Sequence, residues 1–358
     1  MSKTFAEFSL HETLQQALEG LGFTTPTPVQ EQAIPAALEG KDLLVSSQTG
    51  SGKTAAFLLP TLNSLAGEEA FVSFKDRMKA VTQPTILVIS PTRELAQQVS
   101  QDAIALVRHM KGVRIAAIMG GMPFGKQIQQ LKGAQVIVAT PGRLVDLINR
   151  RAINLQTDET VVLDEADEML NMGFKEDIDA ILDATPDTKN VWLFSATMPK
   201  EVAEIAKNYM TNPLEVSIGH KNQTNENIEH IYFMVKEKDR YAATKRLIDF
   251  NPSIYGLIFC RTRRETAQVA EMLEKDGYNA SPLHGDLSQA QRDSVMKRFR
   301  EKSLQILVAT DVAARGIHVD GISLVVHVDA PTDHKDYLHR SGRTARAGEA
   351  GAVVTLAT

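Results

Sequence analysis

The chain has 358 residues, 43% of them hydrophobic and 23% charged, and a net charge of −5. That composition is ordinary for a soluble globular protein, and at roughly 100–200 residues per domain the length predicts two domains. The single cysteine, Cys260, excludes an internal disulfide and a four-cysteine zinc site, and it fits a reducing compartment. No apolar run approaches the roughly 18 residues of a membrane span, and the first residues lack the apolar core of a signal peptide. A cytoplasmic protein with no membrane partner is therefore expected. The acidic balance confines any polynucleotide contact to a local electropositive groove.

In chain order, residues 5–21 predict a leading strand or loop and then an amphipathic helix with Leu10, Leu14, Ala17, Leu18 and Leu21 on one face, closed by Gly22. Pro26 and Pro28 fix an extended segment up to Gln30. A helix carrying Ala33, Ile34 and Ala37 then leads to a short apolar run at 42–46. Residues 67–83 are polar and charged and predict a surface excursion. Short apolar runs follow at 86–89, 113–119, 136–139, 161–163 and 191–194, alternating with helical patterns. Such alternation predicts βαβ units with a parallel sheet and helices on both faces. Residues 211–227 lack apolar periodicity and predict a linker. A second alternation has runs at 231–235, 257–260, 306–309, 324–328 and 353–356.

Ser47-Gln48-Thr49-Gly50-Ser51-Gly52-Lys53-Thr54 sits between an apolar run and a helical one. That is the setting of a phosphate-binding loop, with Ser47 where the general pattern has its first glycine. Gly50 and Gly52 permit the tight turn that aims backbone N–H groups at an anion. The helix dipole adds positive potential, Lys53 supplies a point charge for the outer phosphates, and Thr54 a hydroxyl for Mg²⁺. The run at 161–163 delivers Asp164 and Glu165. In a nucleotide hydrolase the first would hold Mg²⁺ and the second would orient or deprotonate water. The other runs of the first half also end in polar clusters, where open α/β sheets place ligand sites.

Asp164-Glu165-Ala166-Asp167 resembles the signature of the DEAD-box family of ATP-dependent RNA helicases, in superfamily 2. The resemblance extends in order through Phe5, residues 23–30, the phosphate loop, 91–95, Gly120-Gly121, 140–143, 195–197, 259–262, 289–292, 310–317 and 339–348. It implies an α/β protein of two RecA-like domains, each a mostly parallel sheet with helices on both faces, with ATP and RNA sites across the interdomain cleft. The expected boundaries are an adenine-recognition segment at 1–31, a first domain at 32–212, a linker at 213–227 and a second domain at 228–358. The chain ends ten residues past Gly348, where a further helix is expected to close the second domain.

By the same resemblance Gln30 would read the adenine edge, and Phe5 or Phe23 would pack near the base. Gly316 and His318 would face the nucleotide, with His318 where the family has an aspartate that accepts from the ribose. Asp167, Ser195, Thr197 and His339 would couple hydrolysis to strand separation. Arg343 and Arg346 would act as arginine fingers, flanked by Ser341 and Ala345 where isoleucine and glycine are usual. Thr92, Arg93, Gly121, Thr140, Gly142 and Arg143 would contact RNA from the first domain. Arg261, Thr262, Gln289, Arg292 and Thr310 would do so from the second. Most of these offer backbone, hydroxyl or guanidinium donors suited to phosphate and sugar. With 6% aromatic residues, binding is expected to be independent of sequence, the 2′-OH distinguishing RNA from DNA. The expectation is a monomeric ATP- and Mg²⁺-dependent RNA helicase. The rivals are a DNA-directed helicase, a non-catalytic RNA clamp and a phosphate-loop ATPase acting on proteins.

Overall fold

The structure, a computed structural model, describes residues 4–48, 50–66, 82–218, 227–314, 317, 319–345 and 350–358. Thr49, Gly316, His318 and Arg346 lie outside these residues, as does nearly all of the expected excursion at 67–83. The chain divides into two compact units, Met1–Lys221 and Asn222–Thr358.

The first unit holds strands β1 (Leu43–Ser47), β2 (Ile86–Ile89), β3 (Ile115–Ile118), β4 (Val136–Ala139), β5 (Thr160–Leu163), β6 (Asn190–Ser195) and β7 (Leu214–Ile218). They form one sheet in the order β3-β4-β2-β5-β6-β1-β7, every pairing parallel. Alternate residues of a strand face opposite sides. Ile86 and Val88 therefore join one core, with the helices Pro28–Leu38, Lys53–Ser64 and Arg93–Leu106. Leu87 and Ile89 join the other, with the helices Pro141–Asn149, Lys175–Asp183 and Lys200–Tyr209. Burial on both faces explains why these strands read as unbroken apolar runs.

The second unit holds β8 (Ile228–Met234), β9 (Gly256–Phe259), β10 (Ala280–Leu283), β11 (Ile306–Ala309), β12 (Leu324–His327) and β13 (Gly351–Ala357). Their order is β10-β11-β9-β12-β13-β8, again parallel throughout. One face packs on the helix Gln289–Arg300 and the other on the helices Arg240–Phe250 and Arg263–Lys275.

Two local expectations, the linker and the set of predicted runs, need correction. The expected linker, from 211 in the polar pattern and from 213 in the domain division, contains β7, which pairs with β1. Only Val216 of β7 is buried, so this edge strand carries one core residue and no apolar run. Within the expected adenine-recognition segment, Phe5, Phe8, Leu14, Leu18 and Val29 belong to the first unit's core. Phe5–Phe8 form a single 3₁₀ turn ahead of the helix Glu12–Gly20, the loop alternative of the expected strand or loop. Strand β10 has no counterpart among the predicted runs; its interior is Ser281-Pro282, and proline is tolerated because β10 lies at the sheet edge.

Candidate nucleotide and nucleic-acid sites

Sheet order gathers the motif residues. Strands β4, β2, β5, β6 and β1 are consecutive neighbours. Their carboxyl ends deliver, side by side, Thr140, Ser90, Asp164, Ser195 and the phosphate loop. Residues separated by more than a hundred positions thus share one edge, where open parallel sheets bind ligands.

In the phosphate loop Gly50 and Gly52 have φ of 78° and 92°. A β-carbon on Gly52 would lie 2.6 Å from Gln30 Nε2 and 2.8 Å from Thr27 Oγ1, so glycine is required there on both counts. Lys53 is buried, and its Nζ donates to the Ser47 carbonyl at 2.8 Å. The Ser47 and Ser51 hydroxyls lie 3.0 Å apart in hydrogen-bond contact. The Lys53 ammonium thus holds a protein carbonyl, where a phosphate oxygen would be the stronger acceptor. Thr54 occupies the first turn of the helix Lys53–Ser64.

Gln30 is brought to this loop. Its Oε1 accepts from Thr27 N at 2.9 Å and its Nε2 donates to Gly52 O at 3.0 Å. One amide hydrogen and one lone pair are left for a ligand. Of the two aromatic candidates, Phe5 is buried, while Phe23, edge-on to it with centroids 6.0 Å apart, is 39% exposed.

Asp164, Glu165, Asp167 and Glu168 are all buried. Glu165 adopts a left-handed conformation, φ 52°, at the start of the helix Ala166–Asn171. Strain of this kind in a non-glycine residue collects at functional sites. Burial pushes the Asp164 carboxyl up to about 7, Glu165 adds to the rise, and Lys53 opposes it. A carboxylate so short of positive charge fits a divalent cation, which would offset both acids. Among the described residues no cluster of three or more His, Cys, Asp or Glu forms a metal site. An ion at Asp164 would accordingly take its remaining ligands from phosphate, water and Thr54.

Three of the four predicted coupling residues, Asp167, Ser195 and Thr197, meet; His339 lies in the second unit. Asp167 Oδ2 accepts from Thr197 N at 2.9 Å and from Thr197 Oγ1 at 2.7 Å. Asp167 N donates to Ser195 Oγ at 3.3 Å, and that hydroxyl donates to Thr197 O at 2.6 Å.

Five of the expected RNA residues stand at helix N-termini, a placement that their types alone do not reveal. Thr92 and Thr262 cap the helices Arg93–Leu106 and Arg263–Lys275, their hydroxyls accepting from Leu95 N at 3.2 Å and Glu265 N at 3.1 Å. Thr310 Oγ1 accepts from Ala313 N at 3.3 Å. Thr140 is the N-cap of the helix Pro141–Asn149, and Gln289 opens the helix Gln289–Arg300. Each hydroxyl keeps its own proton to donate, and each helix turns its positive end toward the residue. Gly142 lies in the first turn of Pro141–Asn149. Arg261 is 61% exposed and 3.8 Å from Asp329, and Arg292 follows on the helix Gln289–Arg300.

Two arginines differ from expectation. Arg143 is only 10% exposed. Its guanidinium donates to Met122 O at 2.9 Å and Gln127 Oε1 at 2.6 Å, and it stacks on Phe124. It holds protein groups and is not a free phosphate ligand. Arg343 is buried, donating to His339 O at 3.1 Å and Ile317 O at 2.8 Å. His339 and Arg343 line one pocket with Phe259, Asp311 and Arg340.

The DEAD/DEAH box helicase model matches residues 27–205, and the helicase conserved C-terminal domain model matches residues 239–348. A structure of S. cerevisiae Dbp5 bound to RNA and ADP BeF3 is 31% identical, with a TM-score of 0.86 over 99% of this chain and 89% of that one. The chain belongs to the DEAD/DEAH box helicase family. Its two parallel sheets with helices on both faces are the tandem RecA-like domains of that family. The DEAD-box ATP-dependent RNA helicase CshA of Bacillus cereus (strain ATCC 10987) is 46% identical over 356 residues, 99% of this chain and 65% of that protein. The same-named protein of Bacillus subtilis (strain 168) is 42% identical over 359 residues and 70% of its length. The chain thus spans about 65% of the length of the Bacillus cereus relative.

Sequence reasoning about this DEAD-box chain passed over Gln127 and the Arg340–Asp311 pair. Arg340 donates to both Asp311 oxygens, at 2.6 and 2.7 Å, and to Asp329 O at 3.0 Å. The available signal for that pair was a further arginine inside the finger motif and an aspartate directly after Thr310, residue types that pair when buried.

Proposed function

We propose that this chain is an ATP-dependent RNA helicase that binds RNA with little regard to sequence and couples ATP hydrolysis to local duplex remodelling. The observation that carries the reading is the Asp164–Glu165 pair at the sheet edge beside Lys53, with Asp167 of the same turn hydrogen-bonded to Thr197. The segment 1–31 contributes Gln30 to the adenine edge and Phe23 to the base. The ATP phosphates take the Lys53 ammonium from the Ser47 carbonyl. Mg²⁺, held by Asp164 and Thr54, would supply positive charge to the phosphates. Glu165 orients the attacking water and accepts its proton as the oxygen bonds to the γ-phosphorus and the bond to the ADP oxygen breaks. Arg343 and Arg346 of the second unit are required for turnover. RNA phosphates engage the helix N-termini at Thr92, Thr140, Thr262, Gln289 and Thr310.

Among the described residues no helix is long and apolar enough to cross a membrane. The single buried cysteine fits a reducing compartment, and the reading takes the chain to act in the cytoplasm as a monomer. Steady-state ATPase with no nucleic acid, with RNA and with matched DNA tests the reading. RNA is expected to stimulate turnover more than DNA does. Equal stimulation would point to a DNA-directed enzyme, and RNA binding without turnover to a clamp.

A further inference from the structure

Gln127 is fully buried on the helix Phe124–Leu131, yet its carboxamide serves two other segments. Nε2 donates to Met119 O at 2.6 Å, and Oε1 accepts from Arg143 at 2.6 Å. The same Arg143 nitrogen donates to Met122 O at 2.9 Å. Met119 and Met122 are the two residues that flank the Gly120-Gly121 turn. Gln127 therefore pins one end of that turn directly and the other through Arg143. On the turn itself Gly121 has φ 78°, and a β-carbon there would lie 2.2 Å from a terminal nitrogen of Arg93. Arg93 thus packs against the glycine whose flanks Gln127 and Arg143 hold.

Three residues expected at RNA, Arg93, Gly121 and Arg143, are thereby assembled around a side chain that reaches neither solvent nor substrate. A buried amide with both ends bonded is a rigid peg, since losing either bond strands a buried polar group. We propose that Gln127 is a positioning residue for RNA binding, holding the Gly120-Gly121 turn, directly and through Arg143, in the arrangement that RNA engages. The proposal rests on the reading that this turn contacts RNA.

The test measures RNA-stimulated ATPase of the full chain as Gln127→Leu, Gln127→Glu, Arg143→Ala and the double variant Gln127→Leu/Arg143→Ala. Thermal melting on the same samples tracks folding. Gln127→Leu is expected to raise the RNA concentration for half-maximal activity about tenfold while kcat at saturating RNA stays within about twofold. Gln127→Glu keeps an acceptor for Arg143, as a charged pair, but turns an acceptor oxygen toward Met119 O in place of the amide donor, so it is expected to keep the Arg143 contact, lose the Met119 contact and fall between wild type and Gln127→Leu. The double variant is expected to lose no more than the worse single one, because both act through one turn. A residue needed only for folding would lower the melting temperature and kcat together, and additive losses would separate Gln127 from Arg143; either result overturns the proposal. Gly121→Val probes the reading beneath it. Unchanged RNA affinity in that variant would remove the turn from the RNA site, whereas weakened affinity there beside normal affinity in Gln127→Leu would overturn the role of Gln127 alone.

Discussion

Thr197 grips Asp167 twice, donating its backbone N–H at 2.9 Å and its hydroxyl at 2.7 Å to the same carboxylate oxygen. Asp167 lies in the turn and helix that follow β5, and Thr197 lies just past β6, the neighbouring strand. Movement of the acid-bearing turn therefore pulls on the segment after β6. Thr197→Val, which removes only the hydroxyl bond, is expected to slow duplex unwinding about tenfold while RNA-stimulated ATPase stays within about threefold. Parallel unwinding and ATPase assays check it, and an equal fall in both rates would deny a coupling role.

Glu165→Gln keeps the size of the side chain and removes the base. ATP hydrolysis is expected to drop by about a hundredfold or more, the usual contribution of a positioned base, with nucleotide affinity retained. Single-turnover hydrolysis beside equilibrium binding of a fluorescent ATP analogue separates the two quantities. Loss of binding instead would assign Glu165 to the cation.

Asp158 is buried, and neither carboxylate oxygen has a hydrogen-bond partner among the described residues. Burial pushes its carboxyl from 3.8 up to about 8. Below the lower value both folded and unfolded chains hold the proton. Between the two values the folded chain keeps a proton that the unfolded chain has released, so stability falls as pH rises through this window and levels off above it. Asp158→Asn removes the titration. Its advantage over wild type is expected to grow from pH 4 to pH 8, reaching on the order of a few kcal/mol. Urea midpoints at several pH values read this directly, and a constant gap between variant and wild type would show that Asp158 ionises normally.

Asp42 ties three strands at the opposite end of the sheet from the nucleotide. Its oxygens accept from Val191 N at 2.8 Å and Thr211 N at 2.6 Å, the latter leading into β7. Asp42→Ala leaves these amides unsatisfied and is expected to cost about 3 kcal/mol. Trp192, the one tryptophan, donates to the neighbouring Lys41 carbonyl, so its fluorescence reports the unfolding of this unit. A midpoint unchanged from wild type would mean that water replaces the carboxylate.

The sequence by itself determined the chemistry and the alternation. The phosphate loop, the paired acids and the polar ends of the strands are contiguous stretches, and a stretch carries its own turn and strand preferences. Because both faces of the strands are covered, most also appeared as apolar runs. The tertiary structure alone decided which ends became neighbours: β1 lies between β6 and β7, and β5 between β2 and β6, adjacencies made by long-range pairing. It also decided the state of individual side chains. Arg143 reads as a phosphate ligand until Gln127, sixteen positions away, and Met122 take its guanidinium. Strand β7 reads as linker until β1 supplies its partner. In both cases the deciding hydrogen bond joins residues far apart in the chain, and no local pattern records it.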